Sequence, residues 1–413
     1  MGLGPSIKMT TLHHFRCPAT CTLLEDEDIE FTGILVDGVS ERYEDKIYTA
    51  KRTADIAKAL GADGALVVID GWGNHHVDFV NVIEELGKRG IPSVGLSYIG
   101  QQGRLVCDSP YVDQIIDFNK CSSGYESCVV GQNNLTKLDT YKALALLKSK
   151  LRKQGVLFEE KGTGGEKILG QLLRKYMHVR QVKEGTFDCL EQDILTINTN
   201  ISSYVAQEER IQEASLHVIQ LGAHNFFVNS NLDFMPIAVK REGTIGEGDT
   251  HVFSNVVMML TGKEAVTGFQ PSNIGSSEGI LQNQVCFGQA GTPEKNDFLI
   301  HIDVLFAEGE GHSAQGIAAA HRLAEQCIRG VRECLRQTQK LQNQEIIQNK
   351  KRPGKPKIVL VKLVSGLGAM YDTVMFSQQP GGIEGGRMMR DTGNLPYLIT
   401  PTQCLDGVIH SLL

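Results

Sequence analysis

Apolar positions in the first third of the chain alternate between two spacings, and these predict a strand followed by a helix, repeated. Phe31-Thr-Gly-Ile-Leu-Val-Asp37 has the apolar run of a buried strand, and Lys46 to Leu60 carries Ile47, Ala50, Ala54, Ala57 and Leu60 at helical spacing before Gly61. The alternation continues with a strand from Ala65 to Ile69 and a helix from Val77 to Lys88 stopped by Gly90. Strands from Pro92 to Tyr98 and from Gln114 to Phe118 follow, and then a helix from Tyr141 to Lys153. Strands that are apolar throughout, separated by amphipathic helices, predict a parallel sheet covered on both faces.

Beyond this the pattern changes. Glu159 to Glu166 is polar and glycine-rich and reads as a linker. The later chain mixes strand-like runs, Phe253 to Leu260 and Phe298 to Phe306, with a long helix from Ser313 to Gln337. That helix carries Ile317, Ala320, Leu323, Ala324, Cys327, Ile328 and Val331 on one face. The basic run Lys350 to Lys357, with its two prolines, reads as a solvated connector before a strand from Ile358 to Val364. The fold class expected is α/β: an N-terminal doubly wound parallel-sheet domain over residues 1–158, and a second mixed α/β domain over 167–413.

Composition narrows the function more than the fold. The chain has 413 residues, 41% hydrophobic and 22% charged, enough for two domains of ordinary size. A net charge of −7 offers no basic face, so no nucleic acid is expected as a partner. No stretch approaches the ~18 apolar residues that cross a bilayer, so no membrane is expected either, and a cytoplasmic location is. Gly2 followed by Ser6 matches the short myristoylation pattern, but Pro5 stiffens the segment and it reads as unmodified. Ten cysteines without a CxxC pair read as reduced thiols.

Candidate chemistry gathers where parallel sheets bind ligands, in the loops at the carboxyl ends of strands. The segment Asp70-Gly71-Trp72-Gly73-Asn74-His75-His76-Val77-Asp78 lies there, and Asp70, Trp72, Gly73, Asn74 and Asp78 are the candidate substrate-binding residues. Glycine also permits a tight turn, and asparagine also holds backbone groups, so a purely structural role fits Gly73 and Asn74 equally. His75, His76 and Asp78 lack the supporting pattern of a metal centre and read as a loop capping a helix. Glu308, Glu310 and His312 stand between a strand and a helix, where acid–base work or capping by Ser313 would serve, and His312 joins the substrate-binding candidates. Gly162-Thr-Gly-Gly165 and Gly381-Gly-Ile-Glu-Gly-Gly386 lack phosphate-loop spacing, so no nucleotide and no metal are expected.

Specific words in the sequence then match a known family. Met1-Gly-Leu-Gly-Pro-Ser6 and Leu12-His-His-Phe-Arg16 resemble the E-type protein encoded with D-proline reductase, and Ala62-Asp-Gly64 through Asn74, Ile83 to Pro92 and Val129-Val-Gly-Gln-Asn-Asn134 resemble the pyruvoyl-bearing portion of D-proline reductase and of component B of glycine, sarcosine and betaine reductases. His251-Val-Phe253, Thr261-Gly-Lys263, Glu308 to His312, Tyr371-Asp-Thr373, Tyr397 to Thr402 and Leu405-Asp-Gly-Val408 are similar to the other portion of the same precursors. The two portions stand here in the opposite order, as in a fusion of the E-type and D-type proteins of the proline reductase cluster, and the chain reaches Leu413 where the family's processing junction would come.

The resemblance implies reductive cleavage of a C–N bond in a small amino acid. It also implies other reductase subunits as partners, among them one bearing a selenocysteine or cysteine. In Cys17-Pro-Ala-Thr-Cys21 it places a candidate catalytic pair, with Cys17 the precursor of a pyruvoyl group, although Arg16 replaces the family's Asn or Thr. The alternatives are ordinary cysteines in an N-terminal segment, and a non-catalytic paralogue that binds or helps assemble the catalytic subunits.

Overall fold

The computed structural model describes residues 10–40, 42–69, 75–97, 100–120, 129–158, 165–264, 278–365 and 395–408. The alternating first third forms helices α1 (Thr11–Phe15) and α2 (Pro18–Glu25), strand β1 (Glu30–Val39), α3 (Tyr43–Ala59), β2 (Gly64–Ile69), α4 (His75–Lys88), β3 (Ser93–Ser97), β4 (Ile115–Asp117) and α5 (Lys137–Lys153). Helix α3 follows from its spacing, since Lys46, Thr49, Ala50, Thr53, Ala54 and Ala57 form one buried stripe. Helix α5 starts where Thr136 and Asp139 cap each other's backbone amides.

The later chain begins with β5 (Lys167–Met177), β6 (Gln181–Gly185), β7 (Cys189–Glu191), β8 (Ile194–Asn198), α6 (Ser202–Val205), β9 (Ile211–Ile219), β10 (Phe227–Val228), β11 (Ser230–Glu242) and β12 (Gly248–Glu264). It continues with β13 (Gly279–Ile280), α7 (Leu281–Gln284), β14 (Phe298–Phe306), α8 (Ala314–Gln337), β15 (Asn343–Lys351), β16 (Lys357–Ser365), β17 (Tyr397–Ile399) and α9 (Pro401–Cys404). The class is α/β, with parallel pairing in both large sheets.

The first sheet runs β17-β1-β16-β2-β3-β4, parallel except for β17. Residues 1–158 therefore do not complete it. Strand β16, from the far side of the expected domain boundary, inserts between β1 and β2, and β17 closes the edge. The physical reason is visible in β16 itself: Ile358, Val359, Leu360, Val361, Leu363 and Val364 are all buried, and only a central position covers both faces of such a strand. The expected linker at 159–164 lies outside the described residues.

The basic run connects the two sheets. Lys350 and Lys351 end β15, and Arg352 donates to the carbonyls of Asp26 (2.6 Å) and Ile29 (3.1 Å) where the chain crosses from the second sheet to the first.

The second sheet runs β15-β5-β12-β14-β9, with β11 antiparallel on β12, and α8 lies on one face through Ile317, Leu323, Ala324, Ile328 and Val331. Its other face buries Leu12 and Phe15 of α1 with Phe234, Val257, Met259 and Val408. Helix α2, which follows after Arg16 and Cys17, sends Ala19 and Leu23 into the core of the first sheet, with Val36, Val68 and Leu360. The peptide between α1 and α2 thus passes from one sheet's core to the other's.

Candidate functional site

That crossing point carries Cys17. The residue caps α2 by accepting a hydrogen bond on its sulfur from the Thr20 amide (3.4 Å), and it is 1% exposed. Cys404 approaches from α9: its sulfur lies 3.7 Å from Thr20 Oγ1 and donates to the His14 carbonyl at 3.5 Å. Lys362, in the middle third of β16, places Nζ 3.6 Å from Cys404 Sγ and 2.9 Å from His14 Nδ1. All four side chains are buried.

Electrostatics sort the two thiols. Burial alone raises a thiol's pKa, yet hydrogen bonds from Cys404 and Thr20 and the nearby Lys362 ammonium bring Cys17 well below the ordinary thiol value. Cys404, as donor in that pair and buried, is raised well above it. Burial depresses Lys362, but the two sulfurs outweigh it and the lysine stays a cation. His13, whose ring nitrogens have no hydrogen-bond partner among the described residues, is driven by burial to about 4 and is neutral. The arrangement brings together a buried thiol lowered well below its ordinary pKa, a second thiol raised above it and an ammonium ion.

Cys21, one turn further along α2, is half-buried, and burial with the neighbouring Cys17 lifts it to about 11. The CxxxC spacing therefore sets two sulfurs on one helix, but the thiol paired with Cys17 is Cys404.

On the opposite face of the same strands lies a second buried polar group. Register pairs Val36 with Lys362 on one face and Asp37 with Leu363 on the other. Asp37 accepts from Thr53 Oγ1 (2.6 Å), and burial pushes its carboxyl up to about 7. Asp78, at the start of α4, forms a buried ion pair with Lys46 and is raised to about 6, mainly by burial. His75 is buried beside Lys46 and lowered to about 4.

Of the candidate substrate-binding residues, Asp78 is thus held in a buried carboxylate pair at the carboxyl end of the sheet. Asp70, Trp72, Gly73 and Asn74 lie outside the described residues, as does Gly381 to Gly386. His312 ends a short 3-10 helix, Glu310–His312, whose Glu310 pairs with Arg210, and Ser313 caps α8 through the Gly316 amide (2.8 Å). Among the described residues no group of three His, Cys, Asp or Glu side chains is placed to hold a metal ion.

Sequence reading missed Lys362, Cys404 and His14. One signal was present, since Lys362 is the single charge within the apolar run Ile358 to Val364.

The fold is of the α/β class, two parallel-containing sheets with a buried pair of thiols and a lysine where they meet. The profile of the family described as glycine/sarcosine/betaine reductase component B subunits matches residues 3–115 and 171–411, and the chain belongs to that family. It is 30% identical over 256 residues to the D-proline reductase proprotein PrdA of Acetoanaerobium sticklandii, covering 60% of this chain and 40% of that protein. It is 33% identical over 94 residues to the betaine reductase complex component B subunit alpha of Peptoclostridium acidaminophilum, or 22% of this chain and 21% of that one. Over 100 residues it is 29% identical to the glycine reductase complex component B subunits alpha and beta of Acetoanaerobium sticklandii, 23% of each chain. The chain thus matches less than half the length of each of these relatives. No solved structure matches it. Among the described residues no helix is long and apolar enough to cross a membrane.

Proposed function

We propose that the chain is a cytoplasmic subunit of a reductase complex of the D-proline or glycine type, acting in amino-acid fermentation, in which the C–N bond of a small amino acid is cleaved reductively. One observation carries this reading. The two family-matched segments meet at a single buried site, Cys17 from the first and Lys362 and Cys404 from the second. Partners are then other reductase subunits, one supplying a thiol or selenol. Asp70, Trp72, Gly73, Asn74, Asp78 and His312 are the proposed substrate-binding set.

Cys17 is the proposed precursor of a pyruvoyl group. Its sulfur is next to the carbonyl carbon of Arg16, and a thiolate can attack that carbon where a neutral thiol is far slower. Transfer of the acyl group to sulfur, elimination of that sulfur onto the carboxyl end of Arg16, and hydrolysis with loss of ammonia would leave a carbonyl at position 17. The surroundings fit such a group, because Lys362 is held as a cation within reach of that position and so offers a hydrogen bond rather than a competing amine. The group would supply an electron-withdrawing carbonyl for an amino substrate. The chain's own residues keep α1 docked: Asp233 accepts from Thr11 N (3.1 Å) and Thr11 Oγ1 (2.9 Å), so residues before Cys17 would stay bound after a cut.

The near-complete burial of Cys17 favours a second reading, a non-catalytic paralogue that binds the catalytic subunits. Intact mass of the purified chain decides between them. Self-processing predicts loss of the residues before Cys17 and a new terminus that reacts with hydrazine. An uncut 45.3 kDa chain, unreactive toward hydrazine, would sink the pyruvoyl reading.

A further inference from the structure

We propose that in the uncut chain Cys17 and Cys404 are a reversible redox pair whose disulfide withholds the Cys17 sulfur. The inference rests on the site described above but not on cleavage at Cys17. Thr20 holds both sulfurs, Cys17 through its amide (3.4 Å) and Cys404 through its hydroxyl (3.7 Å), so the two thiols face each other across one residue. Both are free. They carry unequal roles, because the Thr20 amide at the start of α2 donates to the Cys17 sulfur and favours a thiolate there, while Cys404 bears a proton that it donates to the His14 carbonyl (3.5 Å). An attacking sulfur and a resolving thiol in contact are the two parts that reversible thiol oxidation requires.

The chemistry balances with a small peroxide as oxidant. The Cys17 thiolate attacks one peroxide oxygen, breaking the O–O bond and giving a sulfenic acid and hydroxide. The Cys404 sulfur then attacks the Cys17 sulfur, the S–O bond breaks, and the thiol proton leaves with the departing oxygen as water, while the Lys362 ammonium ion stabilises the charge in transit. Two thiols have lost two electrons to one peroxide. A dithiol reverses the change by exchange. The product would join α2 to α9, two elements 384 positions apart in the chain through Thr20 and Cys404, and would remove the nucleophile that cleavage at Arg16 needs.

The test treats the full-length chain with stoichiometric hydrogen peroxide, alkylates the remaining thiols after denaturation and maps peptides without reduction. The expected result is one cross-linked peptide pair containing Cys17 and Cys404, lost on treatment with dithiothreitol. In Cys404→Ser the expected product is a Cys17 sulfenic acid captured by dimedone. Peroxide-treated chain in which both cysteines still alkylate, or in which Cys17 is linked to Cys21, overturns the pair. A chain isolated only in cut form, with no sulfur at position 17, also overturns it and leaves the processing reading standing. An uncut, hydrazine-inert chain that forms the cross-link supports the pair and removes that reading instead.

Discussion

At the scale of single residues, Lys362 decides the state of the site. An ammonium ion buried in the middle of a sheet is costly unless anions or strong acceptors surround it. Here the acceptors are His14 Nδ1 and the sulfurs of Cys404 and Cys17. Replacing it with methionine, which keeps the length and removes the charge, should raise the pKa of Cys17. Each unit of rise is a loss of roughly 1.4 kcal/mol in the stabilisation of the thiolate. The pH profile of Cys17 alkylation in Lys362→Met, followed by peptide mass, should move to higher pH by at least about one unit. An unmoved profile would mean that the start of α2 and Thr20, not Lys362, hold the thiolate. The lysine was legible as an anomaly in its strand. Its partners were not, because no local spacing connects Cys404 with His14, 390 positions away.

At the scale of elements, the C-terminal turn after α9 shows how one segment is fixed to the second sheet. Asp406 forms a buried ion pair with Lys240 of β11 (2.8 Å) and accepts from the Gly246 amide (2.5 Å), and Arg174 of β5 donates to the Leu405 carbonyl (2.8 Å). Gly407 follows at φ 85°, with Phe15 packed so closely that an added Cβ would meet its ring at 2.8 Å. Alanine there combines left-handed strain, about 1–2 kcal/mol, with a clash on the aromatic ring that anchors α1. Gly407→Ala should therefore lower the denaturant midpoint by the equivalent of about 2–3 kcal/mol and loosen α1, read as faster amide exchange at Leu12 to Phe15. Unchanged exchange there would separate the turn from α1.

The helices and strands of the first third from β1 onward were readable because their periodicities differ, whereas α1 and α2, too short to show a period, were not. The placement of β16 was not, because a strand apolar on both faces announces only that it is central, not in which sheet.

At the scale of the whole molecule, the two sheets share cores: Leu172 of β5 and Ile347 of β15 pack with Ile34, Leu66 and Leu360 of the first sheet. Burial at this extent traps titratable groups of both signs, and their effects on stability oppose one another. His13, His75 and His301 have folded pKa values of about 4, below the ordinary value of 6.5, each driven first by burial. The stability from keeping them neutral is fully present above 6.5 and is lost as pH falls toward 4. Asp37 runs the other way. Burial raises it from 3.8 to about 7, opposed by hydrogen bonds from Thr53 and Thr49 and reinforced by Asp78, so its contribution is present at low pH and lost as pH rises through 7.

Asp37→Asn keeps an acceptor for Thr53 and removes the titration. The variant should match the parent near pH 4 and exceed it progressively up to pH 7, by on the order of 2–4 kcal/mol in urea unfolding. The acid-side loss from the histidines should then stand out more steeply. If parent and variant stay parallel from pH 4 to 7, the Asp37 carboxyl is already ionised in the folded chain, and Lys46 rather than protonation neutralises that face of the sheet.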